Sequence, residues 1–184
     1  MAIQEETQFI DERVSSETLS IVLAEYNNLR AEILKRIELR HQLISLALVA
    51  PGTIIAVGFT SHNAFLVLSY PILACFLSGV WVANTQGVRE ISHYIKTSVE
   101  PKLGKNNVGW EHYHLIASRP FRLVGILGSG FIFILTQLLC IFAGITLVTF
   151  TITEKILLFF AILSVIASII MLVQLERKRK IGES

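Results

Sequence analysis

At 184 residues the chain has room for one ordinary domain, yet 53% of it is hydrophobic and only 16% charged, against about 25% charged in soluble domains. A net charge of +2, spread along the chain, excludes the concentrated basic face of a nucleic-acid binder. Cys75 and Cys140 both lie in apolar blocks and read as small packing residues, not as a disulfide or metal pair.

Residues 1–15 are polar, with Glu5, Glu6, Asp11 and Glu12 but neither a basic leader nor an apolar core. They read as a flexible tail without a cleaved signal peptide. Leu19, Val22, Leu23, Tyr26, Leu29, Ile33 and Ile37 then recur at spacings of three and four. That stripe predicts an amphipathic cytoplasmic helix over 16–40, capped by Ser15 or Ser16, with Glu17 in the first turn. Glu32 and Arg36 pair on its wet face. The stripe is expected to pack on another cytoplasmic helix of the chain. A self-association seam is the alternative, because the spacing is heptad-like until Arg36 and Arg40. No proline or glycine interrupts residues 16–50, so the helix is expected to run on into the membrane.

Residues 41–84 read as a first transmembrane hairpin. Its spans are Leu43 to Phe59 and Ala64 to Ala83, joined by the short turn Thr60 to Asn63. Pro51 and Gly52 in one span, and Pro71 in the other, predict kinks near mid-membrane depth. Paired breaks of this kind can mark a transport pathway, although isolated prolines are common in membrane helices. Trp81 falls where an interfacial aromatic belt is expected. Residues 85–120 read as a cytoplasmic helix and loop. Val88, Ile91, Ile95 and Val99 form a stripe suited to the face of helix 16–40, and Pro101 ends it.

Gly109 to His114 is the most chemically loaded stretch, and Trp110 within it suits a headgroup interface. Arg119 and Arg122 lead into the second hairpin, residues 121–175. Its first span, Leu123 to Val148, carries no Asp, Glu, Lys, Arg or His. As a helix it is roughly 39 Å long, more than the ~30 Å hydrocarbon core. Its Leu, Ile, Phe and Val residues favour insertion by roughly 5 to 10 kcal/mol before polar costs. Thr151 to Glu154 reads as a capping box opening the fourth span, Ile156 to Leu175. Residues 176–184 form a basic cytoplasmic tail. There Arg177, Lys178, Arg179 and Lys180 fix topology or contact anionic lipid. Lys and Arg cluster in 85–122, before span one and after span four, while the opposite turns hold only Lys155. By the positive-inside rule both termini lie in the cytoplasm.

The spans carry no ionisable side chain of the kind used by proton-coupled pumps or voltage sensors. Their polar residues are mild. Gln137 is the costliest, and it reads as bundle glue or, alternatively, as a pore-lining group. Gly125 and Ser129, Cys140 and Gly144, and Ser164 and Ser168 are each four apart, a spacing that lets helix backbones approach closely. Glu111, His112 and His114 are the only cluster with catalytic or metal-binding chemistry. Two histidines two apart chelate poorly, and no Cys or Asp completes a tetrahedron. No metal or cofactor is expected.

Two runs carry a resemblance: Ala24 to Ile33 leading into span one, and Gly109-Trp110-Glu111 before span three. In these the chain resembles a group of small, mostly uncharacterised bacterial membrane proteins, and no catalytic residue is carried over from that resemblance. In architecture it is also similar to the SLATT superfamily. Members of that superfamily pair a membrane hairpin with cytoplasmic helices and look like pore-forming effectors of nucleotide-signalled bacterial immunity. Four spans depart from their usual two. The expectation is an all-α, multi-pass inner (plasma) membrane protein: a non-enzymatic subunit that oligomerises with itself or other membrane subunits, as a pore or scaffold. The alternatives are a small-solute transporter or channel using Pro51, Gly52, Pro71 and Gln137, and an interfacial enzyme using Glu111, His112 and His114.

Overall fold

A computed structural model describes residues 2–102, 119–147 and 151–182, with side chains over 17–102, 130–147 and 151–177. The described residues are helical, joined by turns, and contain no strand. The helices are α1 (Ala2–Thr60), α2 (Ala64–Tyr94), α3 (Arg119–Ile145) and α4 (Ile152–Gly182). A π-helical turn, Ile95–Val99, and a 3-10 turn, Glu100–Lys102, extend α2. Three stretches are long and apolar enough to cross a membrane: Glu17–Thr60, Ala64–Lys102 and Ile152–Arg177. Within α3 the described apolar stretch is the shorter Gly130–Ile145.

Several boundaries differ from the sequence reading. Helix α1 begins at Ala2, so the polar segment expected to be a tail continues the helix, and Ser15 and Ser16 lie inside it. No glycine or proline precedes Pro51 to stop it. Helix α3 ends at Ile145, and Leu147 N–H closes a turn on Gly144 O at 3.0 Å. Helix α2 gives way to the π turn at Ile95, before Pro101, which has no N–H with which to continue the ladder.

The α1–α2 connection is defined by its hydrogen bonds. Asn63 N–H donates to Gly58 O at 2.9 Å and His62 N–H to Phe59 O at 3.3 Å. His62 sits at φ 49°. This is a Schellman ending with a histidine in the left-handed position glycine usually takes. Asn63 then caps α2, its Oδ1 accepting Leu66 N–H at 3.4 Å. At the start of α4 the capping box is closed in both directions. Thr151 N–H donates to Glu154 Oε2 at 3.0 Å, and Glu154 N–H to Thr151 Oγ1 at 3.4 Å.

The chain forms two compact units. One comprises Met1–Arg36 and Gly87–Arg119. Here Val22 and Ile33 of α1 and Ile95 and Val99 of the π turn are buried, while Leu19 and Leu23 stay exposed. Tyr94 Oη donates to Glu25 Oε1 at 2.8 Å, tying α2 to α1. The Arg36 guanidinium bridges Glu32 at 2.6 Å and lies against Gly87, where any Cβ would meet it. The other unit comprises Ile37–Gln86 and Pro120–Ser184. One of its apolar clusters joins Ala47, Trp81, Val82, Phe133 and Leu175. A second joins Val67, Tyr70, Ala74, Cys140 and Ala143. Glycines allow close approach in this unit: Gly58 against Val67, Gly144 against Leu68, and Gly130 against Leu172.

Candidate functional site

Chemistry in the second unit begins at Pro51. A proline inside a helix has no N–H for the carbonyl four residues earlier, which here belongs to Ala47. Ala47 and Pro51 are both buried, so water does not replace the lost donor. An unsatisfied buried carbonyl costs about 1–3 kcal/mol. Tyr70 of α2 supplies the missing partner, its hydroxyl donating to Ala47 O at 2.8 Å. The same oxygen lies 3.2 Å from Thr136 Oγ1 of α3. The Thr136 proton goes to carbonyls of its own helix, Ile132 O and Phe133 O, at 3.0 and 3.1 Å. Its oxygen therefore accepts from the phenol, whose one proton is shared between Ala47 O and Thr136 Oγ1. A single phenol thus joins three helices at the proline. Tyr70 has no sequence signature beyond its place before Pro71. The available clue was a hydroxyl in one apolar segment of a hairpin whose other segment contains a proline.

A second polar group joins α2, α3 and α4. Gln137 Nε2 donates to Ser168 Oγ at 2.9 Å, and Ser168 Oγ lies 3.3 Å from Ser78 Oγ. The Ser78 hydroxyl also reaches Cys75 O at 2.7 Å, so its one proton is shared between that carbonyl and Ser168 Oγ. Gln137, Ser168 and Ser78 are each fully buried. Gln137 Oε1 has no partner.

The remaining sequence candidates separate. Pro71 is buried beside Tyr70, and Gly52 has open space where a Cβ would stand. Cys140 is a free thiol in the second apolar cluster. Ser164 Oγ turns back to Ala161 O at 2.7 Å within its own helix, and Arg177 is exposed. Trp81 is a core side chain. It is 1% exposed, packed on Phe133 with ring centroids 6.1 Å apart, and its Nε1 has no partner. Its indole lies on the α2 face that meets Ala47 and Leu175. Gly125, Ser129, Arg119, Arg122, Lys178, Arg179 and Lys180 belong to α3 and α4, but their side chains lie outside the described residues. Trp110, Glu111, His112 and His114 lie outside them altogether.

Two charged or titratable groups stand out beyond the apolar spans. Burial lowers the pKa of Arg40 below its usual value, and its Nε has no hydrogen-bond partner. The Glu25 carboxylate accepts the Tyr94 hydrogen bond and repels a phenolate, holding that phenol above its usual 10.0. An open groove of about 250 Å³ runs between Leu39, Gln42, Leu43 and Leu46 of α1 and Val80 and Asn84 of α2. Among the described residues, no three His, Cys, Asp or Glu side chains come together as a metal site. No protein-family model, curated protein or solved structure matches the chain.

Proposed function

We propose that the chain is a non-enzymatic integral membrane protein, crossing the bilayer four times in two hairpins with both termini in the cytoplasm. In this reading it works as a self-associating subunit, a scaffold or a pore. One observation carries it: in the second unit large apolar side chains stand outward while an amide and two serine hydroxyls are fully buried. Phe76 and Phe142 are each 72% exposed, with Phe131, Phe159 and Val49 also outside, while Gln137, Ser168 and Ser78 are fully buried. Water penalises such a surface heavily, and hydrocarbon does not. Light scattering on protein purified in mild detergent tests self-association. Particles of two or more chains are expected, and a strictly monomeric particle across a range of protein concentrations contradicts it.

A further inference from the structure

We propose that residues 47–53 of α1 form a hinge, and that the Tyr70 hydroxyl of α2 is the latch that holds it straight. Three consecutive residues weaken α1 there. Pro51 removes one rung of the helical ladder. Gly52 follows it, with nothing within 4 Å of where a Cβ would stand, so no packing stiffens that turn. Thr53 then turns its hydroxyl back to Val49 O at 3.4 Å, a bond that tends to bend helices. Sharp kinks arise at such places.

The helix is nevertheless anchored on both sides of this point. Ala47 is fixed in the cluster with Trp81 and Leu175. Gly58 is fixed by close contact with Val67. Between these anchors, the hydrogen bond from Tyr70 to Ala47 O fills the rung that Pro51 leaves empty. The donor comes from another helix, so the rung opens whenever α2 moves that oxygen away. A backbone N–H at position 51 would keep the rung closed whatever α2 did. Thr136 Oγ1 shares the Tyr70 proton at 3.2 Å, which couples α3 to the same latch. The arrangement makes the straightness of α1 depend on the position of one side chain on its neighbour, a requirement for any helix that is to bend in response to its surroundings.

The test follows from the chemistry of position 51. Pro51→Ala restores the N–H to Ala47 O and makes the Tyr70 hydroxyl redundant. Spin labels at Leu39 of α1 and Leu73 of α2, both exposed, report the bend in full-length protein with Cys75 and Cys140 replaced by alanine. Leu39 stands 12 residues from Pro51, roughly 18 Å along the axis, so a kink of about 20° displaces it by roughly 6 Å. The parent protein is expected to give one narrow distance. Tyr70→Phe is expected to broaden it and shift it by several ångströms. Tyr70→Phe combined with Pro51→Ala is expected to return the narrow distance. Thr136→Val is expected to leave it narrow, because the bond to Ala47 survives. A Tyr70→Phe distribution identical to the parent overturns the latch, and broadening that persists with Pro51→Ala overturns the hinge. If Tyr70→Phe alone yields no folded protein, recovery of folded protein on adding Pro51→Ala supports the latch, and failure to recover overturns it.

Discussion

Gln137 and Ser168 show how a polar pair can be worth less than the damage of splitting it. Removing one partner leaves a buried group unsatisfied, whereas removing the demanding partner takes its own cost away. Ser168→Ala strands an amide whose Oε1 already lacks a partner and is expected to cost about 1–3 kcal/mol. Gln137→Met loses the same bond but also the stranded carbonyl, and is expected to cost less than about 1 kcal/mol. Unfolding titrations with dodecyl sulfate in mixed micelles measure both, and equal costs contradict the accounting. Tyr94 gives a pH prediction. Its phenol is raised, so the folded state favours the protonated form. The hydrogen bond to Glu25 therefore contributes fully below pH 10 and is lost as pH rises through the folded value. Ultraviolet titration of the parent against Tyr94→Phe is expected to show a difference transition above pH 10, and a transition at or below 10 contradicts it. Much at this scale was legible in advance. The expense of Gln137 follows from an amide in an apolar block. The burial of Trp81 was not legible, because composition locates an indole along a helix but not on which face it lies, and three neighbouring helices claim that face.

Helix ends and glycines decide behaviour at the next scale. His62 pays left-handed strain at the close of α1, so His62→Gly is expected to stabilise the hairpin by roughly 0.5–1 kcal/mol. The glycines of α1 should respond in opposite ways. At Gly52 a Cβ meets nothing within 4 Å, and Gly52→Ala is expected to gain up to about 1 kcal/mol in helix propensity. At Gly58 it collides with Val67, and Gly58→Ala is expected to lose about 1–3 kcal/mol by overpacking. The same unfolding titrations separate the two, and substitutions of equal sign contradict the close approach of α1 to α2. The turn at 60–63 and the capping box at Thr151 could be read directly, because local hydrogen bonding determines them. The start of α1 could not. A polar sequence without breakers is compatible with either helix or tail, and no residue before Pro51 chooses between them.

For the whole molecule, the long apolar stretches were evident from the absence of charge alone. How the chain associates was not, since small residues four apart serve internal packing and oligomer contacts equally. Gly144, for instance, meets Leu68 of its own chain. The central claim is that the outward phenylalanines of the second unit face hydrocarbon. Single nitroxide labels at Phe76, Phe131, Phe142 and Phe159 in reconstituted vesicles test it most directly, through collision rates with oxygen, which partitions into lipid, and with a nickel chelate, which stays in water. The expected result is high oxygen and low chelate accessibility at all four positions. Chelate accessibility at these positions as high as at an exposed turn residue such as Ser61 would contradict it.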